Sequence, residues 1–275
     1  NCHEFRLTPW HNDPITDAGG ELFYLRDEET GHYWSPTPLP CRGVGSYETR
    51  HGFGYSKFLH TENGIASEMI VYSDIETAVK YVRISLRNLS GRARQISTTG
   101  YVEWVLGDVR PKSAPHIVTE YNGDMGGILA RNPYNTDFPG RTGFFCSSAE
   151  KFSYTGDRTE FLGRNGSLRD PACLKKTRLA NKVGAGLDPC AAIQAPFTLA
   201  DGEEQEIIFM LGAAQSAEDA LTLARAVREP EAADNALERV FSFWDNLLGA
   251  VQVKTPDPAF DIMFNGWLLY QSLSS

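Results

Sequence analysis

The stretch from Val82 to Val105, VRISLRNLSGRARQISTTGYVEWV, determines the fold class of this chain. Over its first six residues, apolar side chains alternate with Arg and Ser, which is the period of two of a β-strand with one face in water. Asn88-Leu89-Ser90-Gly91 then predicts a turn, and 94–105 is predicted as a second strand. Two strands joined by a short turn indicate an antiparallel sheet.

The same combination of strand-forming residues and turn signals recurs from about residue 20 to residue 213. Asn63-Gly64 supplies the positive φ angles of a tight hairpin turn, and Glu28-Glu29-Thr30-Gly31 separates two aromatic-rich segments. The predicted strands are 21–27, 32–35, 55–59, 65–72, 82–87, 94–105, 116–121, 127–130, 142–146, 192–199 and 206–211. Segments 107–116 and 163–190 are predicted as long loops. Since no helical period separates the strands, we expect a mainly β, antiparallel sandwich rather than a βαβ fold.

The hydrophobic period becomes helical at Ser216. Ser216 and Asp219 resemble a capping box, a second helix is predicted to begin at Pro230, and Gly249 is a candidate C′ glycine at its end. A third helix after Asp257 has an unusually apolar face, which we expect to need a partner. The predicted organisation is a β domain over 1–213, a helical linker over 214–250, and the start of a further domain over 251–275. We therefore expect the chain to be part of a longer polypeptide.

Composition excludes several classes of protein. The 26 Lys and Arg residues against 35 Asp and Glu give a net charge of −9, which argues against nucleic-acid binding and against a polybasic membrane anchor. No run approaches the roughly 18 apolar residues of a transmembrane helix. The five cysteines are an odd number without a Cys-x-x-Cys pair, so they predict neither a zinc site nor a disulfide framework. The sequence thus predicts a soluble, acidic, cytoplasmic domain with reduced thiols and no metal.

No complete catalytic motif is present. Nucleophile elbows, phosphate-binding glycine loops and His-Glu-x-x-His are absent from the sequence. Carboxylates are plentiful, but glycosidic chemistry needs two of them to face each other, and the sequence alone does not show which would do so. We therefore assign no catalytic residue and no cofactor.

Two segments have the composition of a carbohydrate contact. The segment 24–38 places aromatic residues beside charged ones, and 50–55, RHGFGY, combines donors with two glycines that allow close backbone approach. A sugar ring needs an aromatic face to stack on and polar groups for its hydroxyls. The candidate residues are Arg26, Asp27, Tyr33, Trp34, Arg50, His51 and Tyr55. The alternative is structural: the aromatic side chains pack a sandwich core, and the Arg-Asp pair closes a hairpin.

Six short motifs occur in order along the chain. They are Asn12-Asp13-Pro14, Tyr24-Leu25-Arg26-Asp27, Tyr33-Trp34-Ser35-Pro36-Thr37-Pro38, Arg50-His51-Gly52-x-Gly54-Tyr55, Tyr101-Val102-Glu103-Trp104-Val105-Leu106-Gly107 and Ala130-Arg131-Asn132-Pro133-Tyr134-Asn135. Together they resemble the bacterial inverting glycoside phosphorylases of the cellobiose phosphorylase type, glycoside hydrolase family 94. They resemble more closely the phosphorylase-like C-terminal region of cyclic β-1,2-glucan synthases, which are glycosyltransferases.

The resemblance implies an N-terminal β-super-sandwich, a helical linker and an (α/α)6 barrel, so that 251–275 would begin the barrel. In that family the catalytic Asp and the phosphate-binding residues belong to the barrel, so no residue of this chain inherits those roles. Inorganic phosphate would be a co-substrate of the longer protein, and this chain alone would be inactive. The implied partners are a β-glucan or gluco-oligosaccharide, the barrel domain and a second copy of the protein. An inner-membrane anchor elsewhere in the longer protein stays open.

Three functions remain open on this basis. The first is a non-catalytic sandwich domain that borders the active-site cleft, binds carbohydrate or makes dimer contacts, with 24–37 and 50–55 as the candidate border. The second is an autonomous carbohydrate-binding module. The third is a purely structural scaffold for a barrel or a dimer.

Overall fold

The computed structural model describes residues 4–10 and 19–274, and it contains two facing antiparallel sheets. The Asn12-Asp13-Pro14 motif lies outside the described residues. The strands are β1 (Glu21–Asp27), β2 (Tyr33–Trp34), β3 (Tyr47–Gly52), β4 (Tyr55–Glu62), β5 (Ile65–Ser73), β6 (Val79–Asn88), β7 (Arg94–Glu103), β8 (Val118–Asn122), β9 (Gly127–Arg131), β10 (Thr142–Ser147), β11 (Ser153–Asp157), β12 (Pro189–Leu199) and β13 (Glu204–Ala214). The helices are α1 (Arg110–Ser113), α2 (Arg158–Leu162), α3 (Ala217–Ala226), α4 (Ala232–Gly249), α5 (Pro258–Ile262) and α6 (Leu268–Ser274).

The two sheets enclose the main core. One sheet has five strands in the order β11-β12-β7-β1-β2, and the other has eight in the order β3-β4-β5-β6-β13-β10-β9-β8. Their facing sides bury Trp34, Ile84, Trp104, Phe145 and Phe209, each at most 1 % exposed. The alternating apolar residues of β6 therefore point inward, as the period of two requires. The predicted mainly β, antiparallel sandwich is confirmed.

Each sheet has a second apolar layer on its outer side. Helices α3 and α4 cover part of the eight-stranded sheet, where Tyr72 donates a hydrogen bond of 2.6 Å to the carbonyl of Ala233. On the five-stranded sheet, Tyr24 and Tyr101 are covered by Phe161 of α2 and by Leu174 of the following loop. The sandwich is thus four layers deep where both covers are present.

The structure corrects several details of the sequence prediction. The strands β3 and β11 were not predicted, because both are edge strands and neither shows an apolar alternation. The predicted loops contain α1, a 3₁₀ turn at Ala114–His116 and another at Ala172–Lys175. Capping by Ser216 is confirmed, since its hydroxyl accepts the amide of Asp219 at 3.1 Å. Gly249 is the last residue of α4 rather than a C′ glycine.

The last described helical segment has mixed geometry. Asp257 caps α5, and a π-helical turn at Met263–Trp267 joins α5 to α6. Within residues 4–10 and 19–274, none of the helices combines the length and the apolar character of a membrane span.

Candidate functional site

Arg26 and Asp27 lie buried at the end of β1. Arg26 pairs with Glu28 at 2.8 Å and donates its Nε–H to the carbonyl of Leu174 at 2.8 Å. Burial by itself raises the pKa of the Asp27 carboxyl, but the hydrogen bond from Arg94 and two backbone amides outweigh it, so the pKa is lowered. These contacts close the β1–β2 hairpin and fasten the loop that covers the five-stranded sheet. Neither side chain presents a free polar surface to a ligand.

Tyr33 and Trp34 follow on β2 and face opposite sides. Trp34 is fully buried in the main core. Tyr33 is half-buried, and its hydroxyl donates to Asp170, which also pairs with Lys175 at 2.8 Å. Burial, with Asp170 nearby, raises the pKa of Tyr33, which keeps its hydroxyl a donor. Of the four predicted residues of this segment, only Tyr33 reaches a surface where a ligand could lie.

Arg50, His51 and Tyr55 belong to the β3–β4 hairpin. Arg50 is exposed on the edge strand and pairs with Glu48 at 2.6 Å, while Nδ1 of His51 lies 2.9 Å from the hydroxyl of Ser56. The ring of Tyr55 meets Phe241 of α4 edge-on, with centroids 5.3 Å apart. A border role for these three residues stays a prediction.

The tip of that hairpin connects the sheet to the helices. The ring of Phe53 lies 5.9 Å from that of Trp244 and 5.6 Å from that of Tyr270 in α6. Gly54 has φ +78°, and a Cβ there would lie 2.5 Å from Nε1 of Trp244. A Cβ at Gly266, in the π-helical turn, would lie 2.6 Å from the Phe53 ring. The close backbone approach predicted for this segment is therefore made to α4.

Helices α5 and α6, with the π-helical turn between them, leave a large apolar surface exposed, the end face. The side chains of this end face are between 44 % and 71 % exposed: Phe260, Ile262, Phe264, Trp267, Leu268 and Leu273. Isolated exposed apolar residues are ordinary, but a contiguous set of large ones marks an interaction surface. The apolar face expected from the sequence is present, and no described residue covers it.

A cleft of about 560 Å³ lies between the loops 107–113 and 132–137, and the sequence reasoning did not identify it. Tyr134 is 67 % exposed on its rim and stacks on His116, with centroids 4.1 Å apart. Asn132 is held in place by donating to the carbonyl of Leu106 at 3.0 Å and accepting the amide of Tyr134 at 3.2 Å. The signal was available, since the motifs 101–107 and 130–135 bracket this cleft.

The cleft combines an exposed aromatic ring with several polar and charged side chains. Arg6, Lys112 and Asn135 add donors and acceptors around the exposed ring of Tyr134. Lys112 pairs with Asp108 at 2.9 Å and lowers the pKa of that carboxyl, which makes Asp108 a poor proton donor at neutral pH. An aromatic face beside fixed polar groups is the pattern that a pyranose ring requires.

Among the described residues, no group of His, Cys, Asp and Glu side chains is arranged to hold a metal ion. The four described cysteines, Cys41, Cys146, Cys173 and Cys190, are free and buried. Burial raises the pKa of the Cys41 thiol to about 11 and that of Cys146 to about 12, so these thiols are unreactive at neutral pH.

Comparison with known families gives a match over most of the chain. The family model described as "Glycosyl hydrolase 94, supersandwich domain" matches residues 1–230. Among curated relatives, cyclic beta-(1,2)-glucan synthase NdvB of Rhizobium meliloti (strain 1021) is 38 % identical over 278 residues. N,N'-diacetylchitobiose phosphorylase of Vibrio proteolyticus is 27 % identical over 274 residues.

The chain corresponds to only part of these relatives. The alignment covers 99 % of this chain but 10 % of the synthase, and 97 % of this chain but 34 % of the phosphorylase. Among solved structures, a bacterial glucoamylase complexed with acarbose superposes with a TM-score of 0.54 at 9 % identity, over 83 % of this chain and 31 % of that one. That similarity concerns the fold alone.

Proposed function

Since the chain belongs to the glycosyl hydrolase 94 supersandwich family, we propose that it is the non-catalytic N-terminal domain of a longer, β-glucan-acting protein. The longer protein would be a cyclic β-1,2-glucan synthase or an inverting β-oligoglucan phosphorylase working in the cytoplasm. Support comes from the two relatives, of whose length this chain spans 10 % and 34 %.

The observation that carries the proposal is the exposed end face of α5 and α6. Its apolar side chains extend from a helix that Phe53 and Trp244 already hold against the sandwich. A helix oriented in this way can act as the first element of a following helical barrel. The hairpin tip at Phe53 and Gly54 would then set the angle between the sandwich and the barrel.

We propose the Tyr134 cleft as the part of this domain that borders the carbohydrate site. It supplies an exposed ring for stacking and the side chains of Asn135 and Lys112 for hydroxyl groups. The predicted border residues Tyr33, Arg50, His51 and Tyr55 lie on the strands β2, β3 and β4, away from this cleft, and stay secondary candidates. In the longer protein, phosphate would attack the anomeric carbon of a terminal glucose, while an acid from the barrel protonates the leaving oxygen.

The test uses the longer protein with Tyr134→Ala and, as a matched control, Leu89→Ala on an exposed turn. If the cleft binds glucan, Tyr134→Ala raises KM for a β-1,2-glucan about tenfold, or roughly 1.4 kcal/mol, with little change in kcat. Leu89→Ala leaves both constants unchanged. An unaltered KM in Tyr134→Ala would refute the border role.

The proposal that this chain alone is not catalytic has a separate test. The 275-residue chain alone is incubated with β-1,2-glucan and phosphate, and glucose 1-phosphate is measured. We expect none, and phosphate-dependent release would show that the chain is itself catalytic.

The second candidate is an autonomous carbohydrate-binding module, which the exposed Tyr134 ring favours. Calorimetry of the isolated chain with β-1,2-gluco-oligosaccharides separates the two candidates. Millimolar or tighter binding supports the module, and a flat titration refutes it. A scaffold or dimer role would instead appear in light scattering of the longer protein, as altered assembly after substitutions in the sandwich.

A further inference from the structure

Glu103, at the end of β7, and Asp188, just before β12, share two arginines. Nε of Arg110 lies 2.8 Å from Oε1 of Glu103, a charge contact without hydrogen-bond alignment, and its Nη2 donates to Asp188. Arg158 donates its Nε–H to Oε2 of Glu103 at 2.8 Å, and its Nη1 lies 3.4 Å from Asp188. The hydroxyl of Tyr101 also donates to Glu103, at 3.0 Å. Each arginine thus joins the same two carboxylates.

The two arginines belong to different parts of the surface. Arg110 is the first residue of α1, and Lys112 on the same helical turn lines the Tyr134 cleft. Arg158 is the first residue of α2, whose Phe161 packs on the outer side of the five-stranded sheet. Among the described residues, the cleft is lined by its two loops and the N-terminal segment rather than by α2. A change at Arg110 therefore acts on the cleft wall, and the same change at Arg158 acts elsewhere.

Little apolar burial fixes α1, since Ser113 is the only buried residue of this helical turn. The start of the cleft wall is held separately. Leu106 has a φ of +44°, an unfavourable left-handed backbone for leucine, and Asn132 donates to its carbonyl at 3.0 Å. Nη1 of Arg6 donates to the carbonyl of Asp108 at 3.0 Å. Beyond that point, the contacts of the first residue of α1 hold the wall in place.

We propose that Arg110 is a positioning residue of the Tyr134 cleft. By joining its two carboxylates, it fixes the turn that presents Lys112 to a bound carbohydrate. This role of Arg110 rests on the carbohydrate binding proposed for that cleft. One planar guanidinium reaches both carboxylates through different nitrogens, whereas lysine has a single ammonium group on a flexible stem. Arg110→Lys therefore keeps the positive charge and loses the double attachment.

Arg158→Lys is the matched control, because it makes the same change against the same two carboxylates on a helix outside the cleft. Steady-state kinetics of the longer protein with a β-1,2-gluco-oligosaccharide compare the two variants. We expect Arg110→Lys to raise KM about threefold or more with little change in kcat, and Arg158→Lys to leave KM at the native value. A contribution to stability alone predicts that the two variants behave alike. Equal KM values in the two variants would therefore overturn the positioning role.

Lys112→Ala shows whether Arg110 acts through Lys112. We expect Lys112→Ala to raise KM, and Arg110→Lys to add no further increase in that background, because the group that it positions is gone. Independent, multiplicative increases in KM would overturn the action through Lys112. Failure of the proposed function has a different signature, which is a native KM in both Tyr134→Ala and Lys112→Ala.

Hydrogen exchange of the 275-residue chain measures the order of the turn without a ligand. The amides of Lys112 and Ser113 both donate to the carbonyl of Val109, at 3.2 Å. We expect Arg110→Lys to lower the protection of these two amides about fivefold, while Arg158→Lys leaves it unchanged. Native protection in Arg110→Lys, or an equal loss in both variants, would overturn the positioning role whatever the cleft binds.

Discussion

Two helical regions of this chain have similar apolar periodicity, but the apolar side chains are buried in one region and exposed in the other. The side chains of α4 that face the sheet, such as Ala236 and Val240, are at most 1 % exposed. In α5 and the π-helical turn that follows it, large apolar side chains such as Ile262 and Trp267 stay more than half exposed. Periodicity produces an amphipathic helix in both cases. Only the presence of a facing surface decides whether its apolar side is buried.

The largest expected effect comes from placing a charge on each helix. Val240→Asp puts a carboxylate into the layer between α4 and the sheet and should destabilise the chain by about 3–5 kcal/mol. Ile262→Asp, on the exposed end face, should change stability by less than about 0.5 kcal/mol. Urea unfolding of both variants measures the difference. A large loss in Ile262→Asp would mean that the end face is already packed in the isolated chain.

A substitution at Gly54 tests the contact between the β3–β4 hairpin and α4. Gly54→Ala combines an unfavourable φ of +78° with a Cβ against Trp244, and it should cost about 2–3 kcal/mol. Gly91→Ala is the matched control, because it has the same φ of +78° with no atom within 4 Å, and it should cost about 1 kcal/mol. The difference between the two unfolding free energies isolates the contact with α4. Equal losses of unfolding free energy in the two variants would show that α4 moves to accommodate the added Cβ at no measurable cost.

Phe53→Ala should loosen α6 more than α4. Its ring contacts Trp244 and Tyr270, and its removal should cost about 1–2 kcal/mol in stability. Since α6 has few other contacts with the sandwich, we expect amide exchange in α6 to accelerate while α4 stays protected. Hydrogen exchange resolved by segment makes this comparison. Equal acceleration in both helices would contradict a specific role for Phe53.

The smallest effect concerns the ion pair that fastens α4. Arg239 donates to both oxygens of Asp74, at 2.9 and 3.0 Å. Burial raises the pKa of Asp74, but Arg239 and Thr77 outweigh it, so the pKa is lowered. A lowered carboxyl pKa contributes stability above the unfolded pKa of about 3.9, and this contribution is lost as pH falls through the folded value.

Asp74→Asn should therefore reduce stability at neutral pH by about 1 kcal/mol and flatten the acid limb of the stability curve below about pH 4. Thermal unfolding at a series of pH values measures it, with Asp201→Asn on an exposed turn as the control. An unchanged acid limb would show that other carboxyls dominate the acid response.

Much of the fold followed from local patterns. The alternation in β6, the Asn63-Gly64 turn and the cap at Ser216 each predicted the element that is present. The edge strands β3 and β11 escaped prediction because an edge strand can be polar on both faces, so it carries no alternation. Gly249 marked the end of α4 to within one residue, but it is the last helical residue rather than a C′ glycine.

The candidate site was less accessible from sequence. The segment 24–38 has a sugar-binding composition, yet Arg26, Asp27 and Trp34 are buried and hold the hairpin and the neighbouring loop. The motif at 50–55 approaches a neighbour closely, and that neighbour is α4. The Tyr134 cleft lies at two of the motifs that resemble family 94, 101–107 and 130–135. Composition alone gave no reason to place 107–113 beside 132–137.

The sequence by itself determined the sandwich class, the change to helices at Ser216 and the apolar character of the last helix. These depend on the spacing of side chains along one strand or one helix, which the chain carries locally. The tertiary structure alone decided which motif residues are buried and which helix packs against a sheet. Those outcomes depend on contacts between residues far apart in the chain, and no local period encodes which of two similar faces will be covered.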